Sequence, residues 1–364
     1  MNRRRMLIGG GSLVVVAGAA AVGVRQTGST ATYDASEQAM RAPLANRPAA
    51  HDLVRYATLA PNSHNTQAWR FVAQPGTITI HPDYARRTPV VDPDDHHLFV
   101  SLGCAAENLA LAGAARGLAG DLAFDPKTQS IGFVHRPFPP RPSLLFDAIP
   151  HRQSTRAEFD GRPIDPATLA KLLAAAAIPG VDTVLITDRP KIDRIRDLVI
   201  AGNSAQLADP AFVRELKTWL RFSPRHALET GDGLYAAASG NPKFPEWIGQ
   251  RAFDLFFTAK SENDKYARHL NSSAGVAVFS GQADDPEHWV KTGRACQRFA
   301  LQATALGLKH AFINQPVEVA SLREEMAGLA GIPERRPDIV MRFGHGPLLP
   351  YSPRRPTSSV MTRA

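Results

Sequence analysis

Arg152, Ser154 and Arg156 stand at alternate positions in the stretch Arg-Gln-Ser-Thr-Arg. If that segment is extended, alternate side chains fall on one side, so two guanidinium forks and a hydroxyl face the same way. Such a set seats a dianionic phosphate, because bidentate, charge-assisted bonds from arginine are the strong ones. A solvated basic strand is the competing reading, and exposed charges of that kind contribute little. A second stretch, Pro61-Asn62-Ser63-His64-Asn65-Thr66-Gln67, stops an apolar helical run and is followed at once by Trp69 and Phe71. Asparagine and serine bond their own backbone in turns, so the bland reading is a turn, and the stretch by itself does not exclude it.

Other chemistry-bearing residues point to less. Asp92, Asp94, Asp95, His96 and His97 could ligate a metal. Neighbouring ligands on a rising chain seldom converge, however, and acids just before a helix suit its positive end, so no metal site is expected. Cys104 and Cys296 have no metal spacing and lie in Ala/Leu-rich segments, where a buried, inert thiol is the expected fate. A bridge between them demands close Cα atoms, which spacing does not supply. There is no Gly-x-Ser-x-Gly, so a serine hydrolase would lack its nucleophile turn.

The elements that must position these residues begin with the chain as a whole. With 364 residues, 44% hydrophobic and 21% charged, it has globular composition and the length of one large or two ordinary domains. Residues 1–31 differ in kind. Arg3, Arg4 and Arg5 precede an apolar run from Met6 to Val24, with Ala17-Gly18-Ala19 and Ala19-Ala20-Ala21 as small-residue cleavage sites. The paired arginines, then one residue and two apolar ones, resemble a twin-arginine export signal. Gly9, Gly10, Gly11, Gly18 and Gly23 make the run weakly apolar, which favours that route over a general secretory signal or an uncleaved anchor. The expected location is periplasmic or otherwise extracytoplasmic, with membrane contact only through this segment. Residues 1–31 also hold Arg25 and no acid, so half of the formal charge of +8 leaves with them. The remaining excess is small, and no Lys/Arg run with interleaved aromatics occurs, so nucleic acid is not an expected partner.

Residues 32–48 are polar and irregular and read as a linker. Pro137, Pro139, Pro140, Pro142 and Pro150 forbid a continuous helix between 136 and 150, so the body divides into 49–149 and 150–364. The two parts look related. Leu102–Leu118 and Thr292–Leu308, at a constant offset of 190, share Gly, Ala, Ala, Leu, Ala, Gly and Leu, an excess over chance that suggests an internal repeat. Each copy reads as a long helix with small residues on one face, so the pair is expected to pack closely at the centre. A helix ending in proline also recurs, Leu53–Pro61 and Lys171–Pro179, each followed by a β-type run, Trp69–Val72 and Thr183–Thr187. The polar loop follows only the first, and the Arg-x-Ser-x-Arg segment precedes only the second.

Arg152-Gln153-Ser154-Thr155-Arg156, then Phe159, Pro163-Ile164, Leu169 and Leu172-Leu173, resembles the opening of the nitroreductase family of flavin mononucleotide (FMN) enzymes. Pro61 to Trp69 is similar to that family's Pro-Ser-Ser-x-Asn-x-Gln-Pro-Trp loop, with Asn62 in place of Ser and Ala68 in place of Pro. Asn314-Gln315-Pro316-Val317-Glu318 falls where the family sets a backbone donor against flavin N5. Met341-Arg342-Phe343-Gly344-His345-Gly346 and Pro353-Arg354-Arg355-Pro356 look like its terminal strand and final basic phosphate contact. The resemblance runs from residue 49 to 356.

It implies an α+β nitroreductase fold with mixed sheets and a central helix pair. It also implies FMN as cofactor, with no catalytic side chain because the flavin carries the chemistry. The cofactor-binding residues it implies are Arg152, Ser154, Arg156, Pro61, Asn62, Ser63, Asn65, Gln67, Asn314, Gln315, Arg354 and Arg355. In that family the flavin lies between two subunits. A clamp kept only in the second half and a loop kept only in the first therefore imply two protomers fused into a monomeric pseudo-dimer with one site, as in the Acg-type branch. Trp219–Arg268 has no counterpart in the first half and is the candidate lid, although packing is the favoured role of its Trp247, Phe253, Phe256 and Phe257. The implied activity is reduction of nitroaromatics, quinones or similar planar acceptors. The alternative is a protein that sequesters flavin and turns over little.

Overall fold

The computed structural model describes residues 27–363. The arginine pair and the apolar run on which the expected export signal rests lie outside the described residues. The first helix, α1 (Thr30–Met40), corrects the expectation of an irregular linker over 32–48. Its Ser29 cap accepts a hydrogen bond from Thr32 N, and Tyr33 and Glu37 are buried. Tyr33 Oη donates to Tyr351 O at 2.6 Å. A helix this polar holds only through such tertiary anchors, which is why composition alone reads as linker.

α2 (Ala50–Ala57) leads into the polar loop and then β1 (Trp69–Gln74) and β2 (Thr77–Pro82). The long helix α3 (His96–Ala115) starts after Asp95 in the left-handed region, φ 58°. β3 (Leu118–Asp125) and β4 (Ser130–Pro137) complete a hairpin, and a short α4 (Leu144–Ala148) sits within the proline-rich break. The second half brings α5 (Pro166–Ala176), β5 (Val181–Ile186), α6 (Arg189–Ala208) and α7 (Pro210–Thr218). The anticipated lid is folded, with β6 (Leu220–Arg221), α8 (Pro224–Thr230), β7 (Leu234–Tyr235), α9 (Glu246–Phe256) and α10 (Ala259–Asn271). Then come β8 (Gly275–Gly281), α11 (Pro286–Ala305), β9 (Lys309–Phe312), the one-turn α12 (Gln315–Glu318), α13 (Arg323–Ala330), β10 (Ile339–Gly344), α14 (Thr357–Val360) and β11 (Met361–Arg363).

One sheet has the order β11-β1-β2-β4-β3 and a second the order β5-β8-β10-β9. The first is mixed, because β11 joins β1 in parallel while the other pairs are antiparallel. Every residue of β8 and β10 is buried. With a further two-stranded sheet, β6-β7, the architecture among the described residues is α+β with two large sheets and a central helix pair, α3 against α11.

That pair packs as its small residues predict. A Cβ on Gly103 would lie 2.0 Å from Val290 O, and a Cβ on Gly293 would lie 2.0 Å from Val100 O. The two contacts are related by the offset of 190 seen in the sequence repeat, which carries Gly103 onto Gly293 and Val100 onto Val290. Next to them the Cys104 thiol donates to Gly293 O at 3.1 Å, and both cysteines are free and buried. Gln297 Nε2 donates to Asn108 Oδ1 at 2.6 Å across the seam, while Gln297 Oε1 is buried without a partner.

Candidate functional site

The two stretches that opened the sequence reading meet in space. A cavity of about 560 Å³ is walled by Pro61, Asn62, Ser63 and His64 of the loop, by Arg156, and by Asn314 and Gln315 at the start of α12. Beside it lies a recess of about 50 Å³ that Pro61, Asn62, Asn65, Arg152, Ser154, Arg156 and Arg354 line together. Asn62 and Arg156 face both spaces.

The loop owes its shape to backbone conformations that side-chain-bearing residues rarely adopt. His64, Asn65 and Gln67 have φ of 44°, 54° and 53°, and such conformations persist only when their surroundings over-determine them. Here Gln67 N donates to Asn62 Oδ1 at 2.8 Å and Thr66 N to Ser63 O at 2.9 Å. Two predicted ligand residues are used up in the process. Asn65 Nδ2 donates to Gly233 O and Pro353 O, both at 2.9 Å, while its Oδ1 accepts from Arg354 Nη1. Gln67 is fully buried outside both spaces, with Nε2 on Gly231 O and Oε1 accepting from Arg355 N. Asn65 and Gln67 thus fasten the loop to residues 231–233 and 353–355.

The basic residues divide in the same way. Arg354 spends its guanidinium on Thr58 O, Leu59 O and Ala60 O, the carbonyls that end α2, and on Asn65. It touches the recess but has no donor to spare. Arg355 lines neither space; its Nη1 reaches Gln67 O and its Nη2 Ser359 O. Arg152 is different: it is 5% exposed, its Nη2 donates to Leu59 O at 3.1 Å, and its Nε and Nη1 have no partner. Burial pulls its pKa down to about 10, which leaves it a cation at neutral pH. Arg156 makes no hydrogen bond or ion pair among the described residues. Ser154 is fixed by a parallel bridge to His310, beside β9. Arg41, just after α1, is a wall of the recess that the sequence reading missed; it pairs with Glu37 and lies 3.8 Å over the Tyr351 ring.

His64 was also missed, although it stands inside the loop that attracted notice. Its ring lines the cavity, its buried Nδ1 has no partner, and burial, then nearby Arg156, lowers its pKa to about 4. It is therefore neutral at pH 7. The segment 219–268 supplies apolar wall: Phe222, Phe244, Phe253, Phe256 and Phe257 line the cavity. Phe253 also stacks on Phe257 at 4.3 Å in a core cluster with Phe212 and Leu216. Trp247 is 61% exposed and does not line the cavity. Asn314 is partly engaged, since its Oδ1 accepts from Val340 N at 3.0 Å, whereas Gln315 has a buried Oε1 without a partner.

On the same wall, Glu318 Oε2 accepts from Gln206 Nε2 at 2.6 Å, and burial pushes the carboxyl up to about 7. A carboxyl raised above its unfolded value of 4.5 binds its proton more readily in the folded chain. Its contribution to stability is complete below that unfolded value and is lost as the pH rises through about 7. Glu318→Gln keeps an acceptor for Gln206. Between about pH 5 and about pH 8 the wild-type chain is expected to lose roughly 1–3 kcal/mol that the variant keeps, as read from urea unfolding at the two pH values.

The Nitroreductase family model matches residues 149–345, more than half of the chain. The chain therefore belongs to the nitroreductase family of oxidoreductases. Among its relatives is Rv3131 of Mycobacterium tuberculosis, which bears a provisional NAD(P)H nitroreductase name. It is 28% identical over 84% of this chain and 88% of its own length. The protein acg of the same organism, similarly named, is 24% identical over 84% of this chain and 93% of its own. A solved nitroreductase with bound FMN from Bacteroides fragilis covers 58% of this chain and 95% of its own, at 14% identity and a TM-score of 0.38.

Proposed function

We propose that this chain is an FMN-dependent oxidoreductase that reduces nitroaromatics, quinones or similar planar acceptors. The observation that carries the reading is Arg152, a buried cation with two donors that no protein group accepts. Buried charged donors left unsatisfied cost several times what a satisfied bond contributes, and a phosphate dianion against Arg152, Ser154 and Arg41 would satisfy them. Arg156 stands between recess and cavity, where its charge reaches a ring held in the cavity and favours electron density on that ring. His64, uncharged, offers an acceptor or a donor without competing for the phosphate. When bound, FMN supplies the hydride chemistry, and the lid phenylalanines keep water from the ring.

The fused-protomer organisation belongs to the same proposal. The matched Gly103 and Gly293 contacts and a recess shared by residues of both halves support it. Twin-arginine export to an extracytoplasmic compartment, with cofactor loaded beforehand, remains part of the proposal through residues 1–31.

Stopped-flow spectroscopy of the purified full chain tests the reading. A yellow protein bleached by NADH, NADPH or another reductant, and then reoxidised repeatedly by a quinone or nitro compound, is the expected result. Reduction by dithionite alone, without acceptor-dependent reoxidation, would favour storage of the flavin. A colourless chain that takes up no added FMN would end both readings.

A further inference from the structure

Asp92, His96 and His97 do converge, against expectation for residues so close in sequence. Offering one ligand atom each, they place those atoms within 4.8 Å of one another, and they are 3%, 0% and 6% exposed. The reason is the left-handed Asp95, which folds the preceding chain back over the first turn of α3. The carboxylate of Asp92 then accepts His97 N and Leu98 N, both at 2.9 Å. Asp94 and Asp95 turn away to Arg336 and Arg87.

Helix capping explains part of this arrangement but leaves two features without an account. First, the fully buried His96 has its Nε2 2.9 Å from Asp338 Oδ1, while its Nδ1 has no partner. Asp338 is itself held by Gly281 N at 2.7 Å and Thr292 Oγ1 at 3.0 Å. An acceptor carboxylate on one imidazole nitrogen fixes the proton there and leaves the other nitrogen with a lone pair, the arrangement that backs metal-binding histidines. Second, Asp92 and Asp338 are buried carboxylates, and neither has a lysine or arginine within ion-pair distance among the described residues. The nearby cation Arg336 pairs through Nη1 with Asp94 at 2.6 Å and Asp284 at 3.3 Å, and forms no ion pair with Asp92 or Asp338. Buried charges are ordinarily paired or bound to metal. A carboxylate has about four lone-pair sites, so Asp92 retains capacity after capping the helix.

We propose that Asp92, His96 and His97 bind a divalent transition-metal ion, with Asp338 positioning His96. Two imidazoles and a carboxylate suit zinc, cobalt or ferrous iron rather than calcium or magnesium. Three protein ligands leave further coordination positions for water or a substrate atom, and His97, which lines the large cavity, is the member of the set that reaches that space. The site shares no residue with the arginine recess, and its test reads zinc binding rather than flavin content, so its failure and that of the flavin reading are distinguishable.

The full chain, stripped with a chelator, should be titrated with zinc chloride by calorimetry while its thermal midpoint is followed by circular dichroism. One equivalent should bind and raise the midpoint, because an ion that binds only the folded chain stabilises it. His96→Gln keeps a donor toward Asp338 and should weaken that binding by about 100-fold or more, while Asp338→Asn should weaken it by about 10–100-fold at unchanged stoichiometry. If His96→Gln does not fold, His97→Asn serves in its place. Zinc that leaves the wild-type midpoint unmoved, or that binds equally to wild type and variants, would overturn the assignment.

Discussion

Gly103→Ala is expected to lower the stability of the chain by about 3 kcal/mol. The sign decides the matter, because glycine to alanine inside a helix ordinarily gains up to about 1 kcal/mol. Here the added methyl would sit 2.0 Å from Val290 O, a backbone atom that no rotamer change can move. The two helices must separate, and the dense seam around Cys104, Cys296 and Phe299 opens with them. Gly293→Ala meets Val100 O at the same distance and should cost about as much. Differential scanning calorimetry reads both. An unchanged midpoint in either variant would show that the helices can slide apart freely and would remove the close crossing from the account of the core.

Arg152→Ala should weaken FMN binding by about 100- to 10,000-fold, the worth of two charge-assisted hydrogen bonds at roughly 1.5–3 kcal/mol each. Its effect on the flavin-free chain should run the other way. Removing a buried guanidinium with two unsatisfied nitrogens relieves a cost, so the apo variant should be at least as stable as the apo wild type. Arg152→Lys should not rescue binding, since a point charge does not replace a fork. Arg354→Ala provides the contrast: its donors close the end of α2, so it should unfold the chain more readily. Fluorescence titration of FMN, with thermal midpoints for each apo protein, separates the two arginines. Equal flavin affinity in Arg152→Ala would move the phosphate elsewhere.

The elements built on periodicity were legible before any coordinates. The long helices α3 and α11 with their small-residue face, the proline-ended α2 and the strands β1 and β5 follow from residue spacing, the repeat and breakers. The meeting of loop and arginine segment came from resemblance, which a single pattern of spacing could not supply. What escaped notice depends on long-range partners. α1 is polar and is a helix because Tyr33 finds Tyr351 and Tyr235. Asn65 and Gln67 have the composition of ligand residues, yet Gly231 and Gly233, far along the chain, claim them first. Arg354 and Arg355 show the same limit, since a basic pair near a phosphate seat is indistinguishable in sequence from one that closes a helix and a loop. Asp92 and His96 were dismissed on chain direction, and one left-handed residue, Asp95, reversed it.

The parallel pairing of β11 with β1 sets an order on synthesis. Strands Trp69–Gln74 and Met361–Arg363 lie side by side, with Phe71 opposite Met361, so the first sheet gains its β11 edge only after residue 363 has left the ribosome. Domains commonly fold as they emerge, N-terminal first; here β1 keeps an open flank until residues 361–363 emerge to cover it.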